Sequence, residues 1–585
     1  MKELKHLNKY FYKYRYRLLV GIFITIIARI FALFTPRLIG ASINVASDKL
    51  KGNISMEQFK DDLMLNILLL LGAAVLAGIF TFMMRQTIIN VSRYIEYDLK
   101  NEVYQHYQVL SLKFYKSNRT GDLMNRISED VGKVRSYAGP ALMYSINTVT
   151  LFIVALIYMF NRSVELTLYT ILPLPILSVL IYKISKIINQ RSRIVQESLS
   201  TLSTFTQEHF SGISVIKSYG IEDRTNTDFE TLSSENRQKQ INLAKIQALF
   251  FPLMILIIGL STIMVAYIGG RLYINGTIAD IGTIAEFLIY VNMLTWPVAV
   301  IGWVTNMVQQ AEASQKRINE FLETKPDIVN TKNELTDIQG AIRFENVSFE
   351  YPDTNIVALK GVSFNIEAGK TLAILGKTGS GKTTILDLIG RLYDIQDGEI
   401  WIDDTKITDQ NLYSLREAIG YVPQDAFLFS DSIKNNIKFG KENATDEEVI
   451  TAAKNAMVHK NIVGFKNGYD TVLGERGITL SGGQKQRISI ARAIIKSPQI
   501  LLFDDCLSAV DTETEEKILK NLNKVSKDKT TVIVSHRVSS AKNADHIIVL
   551  EDGKIIQTGN HASLINTDGY YKDLYLKQLS EKEIS

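Results

Sequence analysis

The sequence predicts a membrane α-helical domain of six transmembrane helices followed by a soluble α/β domain. Three observations carry this reading. Six long apolar runs fall within the first 305 of 585 residues. Basic residues crowd the segments on one side of those runs, and a strand, glycine-loop, helix pattern begins at residue 371. A chain of this length exceeds what a single hydrophobic core organises, so two or three domains are expected.

The apolar runs lie near 18–42, 63–91, 139–160, 164–188, 246–270 and 279–305, and each is long enough to cross a bilayer as a helix. Arg29 and Arg85 interrupt the first two, while Pro173 and Pro175 lie in the fourth. A membrane helix tolerates proline where neighbouring groups satisfy the freed carbonyls. Six such runs so close together argue against buried helices of a soluble protein. The first run has the length of a span and no small-residue cleavage motif, which reads as a helix rather than a removable signal.

Orientation follows from the basic residues. Lys2, Lys5, Lys9, Lys13, Arg15 and Arg17 precede the first run and place the N-terminus in the cytoplasm; with its tyrosines, this stretch reads as an interfacial elbow helix. The turns 161–163 and 271–278 each offer one arginine and are expected outside. Lys49, Lys51 and Lys60 in the first outer loop are diluted by Asp48, Glu57, Asp61 and Asp62. Segments 92–140 and 189–245 are long, charged and helix-forming, and face the cytoplasm. Helices of that length would project ~30 Å or more below the membrane. An even number of spans returns the C-terminal half to the cytoplasm.

Composition excludes other classes. Lys and Arg number 65 against 61 Asp and Glu, with no basic stripe, so nucleic acid is not an expected partner. Cys506 is the only cysteine, which excludes an internal disulfide and a multi-thiolate metal site.

The second half carries the chemistry. The buried strand Thr371–Leu375 leads into Gly376-Lys377-Thr378-Gly379-Ser380-Gly381-Lys382-Thr383, then an apolar helix from Thr384. This is the P-loop pattern in its required strand, loop, helix setting. Glycines let the backbone close around phosphates, whose charge is met by amide N–H groups at a helix N-terminus. Lys382 should reach the β- and γ-phosphates of ATP, and Thr383 should ligate Mg²⁺. A second strand, Gln499–Phe503, ends in Asp504-Asp505, with Asp504 suited to hold Mg²⁺ through water.

Leu480-Ser481-Gly482-Gly483-Gln484, upstream of that strand, resembles the signature of the ABC ATPase family. Physically it is a serine and two glycines opening a helix, another anion-binding end. The resemblance implies head-to-tail pairing of two such domains, so that Ser481, Gly482, Gly483 and Gln484 complete the ATP site of a partner. It also assigns Tyr351 to stacking on adenine. Gln424 becomes the Q-loop residue serving metal and water, Ser508-Ala509-Val510-Asp511 the D-loop, and His536 the switch histidine.

Six spans ahead of one ATPase domain resemble an exporter-type half-transporter, with a domain-swapped fold expected. Residues 1–318 would form the membrane domain, 319–340 a linker and 341–585 the nucleotide-binding domain. Thr471-Val472-Leu473-Gly474-Glu475-Arg476-Gly477 is similar to the exporter X-loop. Arg119–Met124 and Ser218–Glu222 resemble the regions of the two coupling helices. Ser92–Leu99, Leu294–Pro297 and Gly302–Val304 are similar to bacterial multidrug exporters, which often work as heterodimers with one altered catalytic site. The implied function is ATP-driven export of a small amphipathic molecule, drug-like or lipid, across the cytoplasmic membrane by a dimeric exporter. A heterodimer is favoured and a homodimer is compatible.

One departure bears on this. Asp505 stands where an active family member has Glu, whose carboxylate polarises the attacking water. Asp is shorter by one methylene, so its carboxylate falls back by about an ångström, a misplacement that can cost ~10²-fold. Two readings follow: an active transporter half, or an ATP-binding regulatory half with a slow site. A shifted water that rescues Asp505 belongs to the first. Arg29, Glu286 and Asn292 within the spans either line a polar cavity or bond between helices.

Overall fold

The structure, a computed structural model, describes residues 2–474, 480–507 and 512–584. The chain divides into two compact units. The first comprises Met1–Tyr107 with Gly121–Thr324, the second Gln108–Thr120 with Lys325–Ser585.

The first unit is helical: α1 (Asn8–Lys13), α2 (Arg15–Leu50), α3 (Met56–Val109), α4 (Leu112–Ser117, which belongs to the second unit), α5 (Thr120–Asn125), α6 (Val131–Ser136), α7 (Leu142–Arg162), α8 (Val164–Ile171), α9 (Pro173–Ser211), α10 (Ile213–Tyr219), α11 (Glu222–Ile274) and α12 (Ile281–Leu322). Among the described residues, five helical runs are long and apolar enough to span a membrane: α2, α3, Thr120–Arg162, α11 and α12. The fourth expected span, 164–188, corresponds to α8 and the first turns of α9, divided at Leu172. Pro173 opens α9, because proline has no N–H to continue α8 and fits the first position of a new helix. The segment keeps its apolar character; the break takes it out of the count.

Helix α3 shows why a bilayer is needed. Leu65, Leu68, Leu69, Val75, Ile79 and Phe82 are exposed along it, an apolar surface that water would not tolerate at this extent. Helices α2 and α12 approach closely where Gly40 and Gly282 meet. A Cβ on Gly282 would stand 2.0 Å from the Gly40 carbonyl oxygen, and the Gly282 N–H donates to Asn44 Oδ1 at 2.7 Å. The run Thr120–Arg162 contains π-helical turns at Arg126–Asp130 and Tyr137–Ala141. Pro140 sits in the second, where the missing N–H loosens the ladder.

The polar residues of the spans are engaged between or along helices. The Arg29 Nε donates to Asn147 Oδ1. Glu286 is buried, 3.4 Å from Arg162 and accepting from the Tyr290 hydroxyl at 2.8 Å. Asn292 donates to the Leu288 carbonyl of its own helix at 3.0 Å. The basic N-terminal stretch is clamped to α3: Lys9 and Tyr10 donate to Glu102, Lys13 and Tyr14 to Asp98 at 2.7 and 3.0 Å. Burial works against ionisation of Glu102, but His6 at 3.5 Å and the hydrogen bonds from Lys9 and Tyr10 prevail and hold its carboxyl at about 2. The clamp is therefore intact above the usual carboxylate range and weakens only as pH falls toward about 2.

The second unit contains two sheets. β1 (Ile342–Tyr351), β2 (Ile356–Ile366), β4 (Asp397–Ile402) and β5 (Thr405–Lys406) form an antiparallel sheet in the order β2-β1-β4-β5. The other sheet runs β10-β9-β3-β8-β7-β6, built from β3 (Thr371–Gly376), β6 (Ile419–Val422), β7 (Ile500–Asp504), β8 (Thr530–Val534), β9 (His546–Glu551) and β10 (Lys554–Gly559). All its pairings are parallel except β9 with β10. Its central strands are almost wholly buried and rich in Ile, Leu and Val, as a parallel sheet covered on both faces requires. Register aligns Ile374 of β3 and Asp504 of β7 with Val534 of β8. Gly376, Asp504 and the residues after β8 therefore share the carboxyl edge, where open α/β sheets bind ligands.

Candidate functional site

β3 delivers the chain into the loop Gly376–Gly381, and α13 (Lys382–Ile389) leads away from it. The glycines are required by space and by conformation. Gly376 has φ 150°, and a Cβ there would stand 2.2 Å from the Leu550 carbonyl; Gly381 has φ 98°, with the Ala358 carbonyl at 2.4 Å. Lys377 turns outward to Glu551 at 2.8 Å, and Thr378 and Gly379 are exposed.

Lys382 is buried and folds back over the loop, its Nζ donating to the carbonyls of Gly376 at 3.0 Å and Lys377 at 2.8 Å. Burial pushes its ammonium below the usual range, and the charges of Asp505 and Asp504 oppose that. The ammonium is thus held over the loop by two backbone carbonyls, within the influence of two carboxylates. Thr383 Oγ1 donates to Asp504 Oδ1 at 3.0 Å, joining α13 to the end of β7. Burial pushes the Asp504 carboxyl up, and the Thr383 hydrogen bond draws it back. The Thr384 hydroxyl is buried and 3.0 Å from the Tyr351 hydroxyl.

A hydroxyl and a carboxylate are hard oxygen donors, the set that suits Mg²⁺. The Ser380 hydroxyl adds a second sign of fit: it is buried in the loop with no hydrogen-bond partner among the described residues. Residues present therefore fit a nucleotide phosphate with its metal, which Thr383 and Asp504 would hold.

Asp505 follows β7 with φ 39°, and its N–H donates to the Val534 carbonyl at 2.9 Å. This fixes the start of a side chain that is itself buried. His536 lies two residues past β8; burial pushes its imidazole down, the Lys382 charge adds to that, and Asp505 opposes it. His536, Lys382 and Asp505 all follow strands whose carboxyl ends share one edge of the sheet. Gln424 is exposed two residues beyond β6, and the Gln486 amide donates to its carbonyl. Among the described residues, no side-chain hydrogen bond joins Gln424 to Thr383 or Asp504.

The segment Ser481–Gln484 stands at a helix N-terminus. Ser481 caps the helix Gly482–Ile495 by accepting from the Gln484 N–H at 3.3 Å, while Gln484 Oε1 accepts from the Ser481 N–H at 3.0 Å. Ser481 and Gly482 are exposed, open to another molecule. The expected D-loop, Ser508–Asp511, and Glu475-Arg476-Gly477 of the expected X-loop lie outside the described residues. The remainder of that loop bonds to the stretch after Gln424: Thr471 accepts from the Ile433 N–H at 3.0 Å, and the Leu473 N–H donates to Asp431 at 3.0 Å.

Sequence reasoning missed two members of this site. Asp387 is buried in α13, its carboxyl raised to about 6 by burial, with the Lys116 charge drawing it down. A lone acid in the apolar stretch Ile385–Ile389 is the signal that could have drawn attention to it. Lys116 sits over the Tyr351 ring, 4.8 Å from its centroid, and no local pattern announces that.

Comparison with known proteins agrees with the two units. The family described as ABC transporter transmembrane region matches residues 18–298, and the one described as ABC transporter matches residues 359–508. The chain is 33% identical to the multidrug resistance-like ATP-binding protein MdlA of Escherichia coli over 99% of this chain and 97% of the relative. It is 41% identical to the uncharacterized ABC transporter ATP-binding protein YknU of Bacillus subtilis over 82% of each. The solved structure of a bacterial Atm1-family ABC exporter with ATP bound superposes with a TM-score of 0.79 at 27% identity, covering 96% of this chain and 98% of that one. The chain belongs to the ABC transporter family, as an exporter half-transporter of the bacterial cytoplasmic membrane whose ATP-binding domain hydrolyses ATP to drive transport.

Proposed function

We propose that this chain is the slow-site half of a heterodimeric exporter for a small amphipathic molecule, drug-like or lipid. The observation that carries the proposal is Asp505. Its backbone is fixed by the bond to Val534, so a side chain one methylene short of Glu has no means of advancing toward an attacking water. The multidrug names of full-length relatives support the amphipathic substrate class. The exposed apolar side chains Phe210, Ile213, Val215 and Tyr219 around α10 support burial against a second chain.

In this reading the phosphates of ATP lie on the loop Gly376–Gly381, and Lys382 leaves the Gly376 and Lys377 carbonyls to meet the β- and γ-oxygens. Thr383 and Asp504 hold Mg²⁺, which neutralises phosphate charge when bound. Tyr351 stacks on adenine, and His536 faces the γ-phosphate beside Asp505. The signature Ser481–Gln484 serves the P-loop of the partner. Hydrolysis at the partner's site, with this chain's signature in place, drives transport. A regulatory half that binds ATP without significant turnover at its slow site is the second reading, favoured by the same Asp505.

The test is uptake into inverted vesicles carrying the chain alone or with a co-expressed partner half, against a panel of amphipathic dyes and fluorescent lipids. ATP-dependent uptake of at least one probe by the mixed complex, and little by the chain alone, is expected. Equal uptake by the chain alone would remove the heterodimer. An actively ATP-hydrolysing mixed complex that moves none of the probes would remove the amphipathic substrate.

A further inference from the structure

The segment Gln108–Thr120 belongs to the second unit although the chain on both sides of it belongs to the first. Leu112 packs against the core of that unit, Ser111 donates to Asp327 at 2.9 Å, and Lys113 lies 3.6 Å from the same carboxylate. α4 is thereby anchored, and it carries Lys116 to the aromatic pair beside the P-loop. The Lys116 ammonium lies 4.8 Å from the ring centroid of Tyr351 and 5.1 Å from that of Tyr393, inside the range of cation–π attraction.

The Tyr351 ring is held in place. Its hydroxyl is bonded to Thr384, and its neighbours Phe349 and Tyr393 meet it edge-on at 5.0 and 5.4 Å. Phe349 and Tyr393 are buried whereas Lys116 is exposed, so the ammonium reaches the pair from the solvent side. Asp387 adds a buried carboxylate that interacts with both Lys116 and Tyr351. The ammonium thus covers an aromatic pair, Tyr351 and Tyr393, with the charge of a buried carboxylate acting on it.

We propose that Lys116 and the adenine of ATP compete for the outward face of Tyr351, so that α4 responds to the base of the bound nucleotide. The proposal rests on the reading of Tyr351 as the adenine-stacking residue. A cation–π contact and a base stack both need the ring face within van der Waals reach, and one face does not hold both. Adenine arriving from solvent displaces the ammonium toward Tyr393 and Asp387. Because α4 lies between α3 and the helical run from Thr120, its side chain changes partners in a segment covalently continuous with two membrane-spanning runs. Lys116 is in this sense a positioning residue of the ATP site.

The experiment measures binding of ATP and of inorganic tripolyphosphate, which has the phosphates and no base, to the full-length protein in lipid nanodiscs. Wild type, Lys116→Met, Lys116→Arg and Tyr351→Ala are compared. Competition predicts that Lys116→Met binds ATP about threefold more tightly, with tripolyphosphate unchanged. Lys116→Arg, whose guanidinium still covers the ring, should return to near wild type. Tyr351→Ala should bind ATP roughly threefold to tenfold more weakly. Unchanged or weaker ATP binding in Lys116→Met overturns the competition, as does an equal gain for both ligands, which would mean an effect on the phosphates. Unchanged ATP binding in Tyr351→Ala removes the stacking assignment itself, which separates the two failures.

Discussion

Asp505→Glu is expected to raise ATP turnover at this chain's own P-loop by up to about a hundredfold. The gain comes from reach alone. Asp505 is fixed at its backbone by a left-handed φ of 39° and by the bond from its N–H to Val534, so the added methylene extends the carboxylate rather than moving the chain. The other components of the site are in position: Lys382 over the loop, Thr383 bonded to Asp504, and His536 within the electrostatic influence of Lys382 and Asp505. The assay is steady-state hydrolysis by a complex whose partner P-loop has been inactivated, so that only this site reports. Turnover unchanged by the substitution would mean that Asp505 already serves the water well, and the slow-site account would fail.

Ser481→Arg should act on the other site. Ser481 is an exposed N-cap whose hydroxyl accepts from Gln484 and whose helix N-terminus offers free amides. Arginine removes the cap and puts a long cation where a partner's γ-phosphate would dock. Losing such preorganised donors costs ~10²–10³ in turnover. In a heterodimer this falls on the fast site, so Ser481→Arg should be far more damaging than Asp505→Ala, which touches only the slow one. In a homodimer each site contains both features, and the two substitutions should be comparably severe. Side-by-side ATPase rates of the purified complexes distinguish these cases.

What could be read from the sequence depended on how local the physics is. The P-loop is legible because its glycines and Lys382 fall within eight residues, although the backbone that crowds Gly376, the Leu550 carbonyl at 2.2 Å from a Cβ there, comes from a distant strand. The parallel sheet is legible from runs such as Ile500–Phe503, which only a doubly covered strand tolerates. The spans are legible by apolar length, yet the fourth is divided at Leu172 because Pro173 starts a new helix where hydropathy alone runs on. Arg29 and Glu286 stand out as charges in apolar runs, but their partners Asn147 and Arg162 are set by helix packing, more than a hundred residues away in each case, and leave no local mark. The same holds for Lys116. It is an ordinary basic residue of a cytoplasmic segment, and only the grouping of 108–120 with the second unit brings it to Tyr351.

A half that binds ATP at a slow site, while its signature supports a fast site on a different chain, should depend on its partner for turnover. The most direct measurement is the steady-state ATPase rate of the purified chain alone in nanodiscs, beside that of the complex with its partner half. The mixed complex is expected to turn over at an ordinary enzyme rate of ~10 per second, with the chain alone about a hundredfold below it. Hydrolysis by the chain alone at tens per second would contradict it, since Asp505 would then be a fully competent catalytic carboxylate and no second kind of chain would be required.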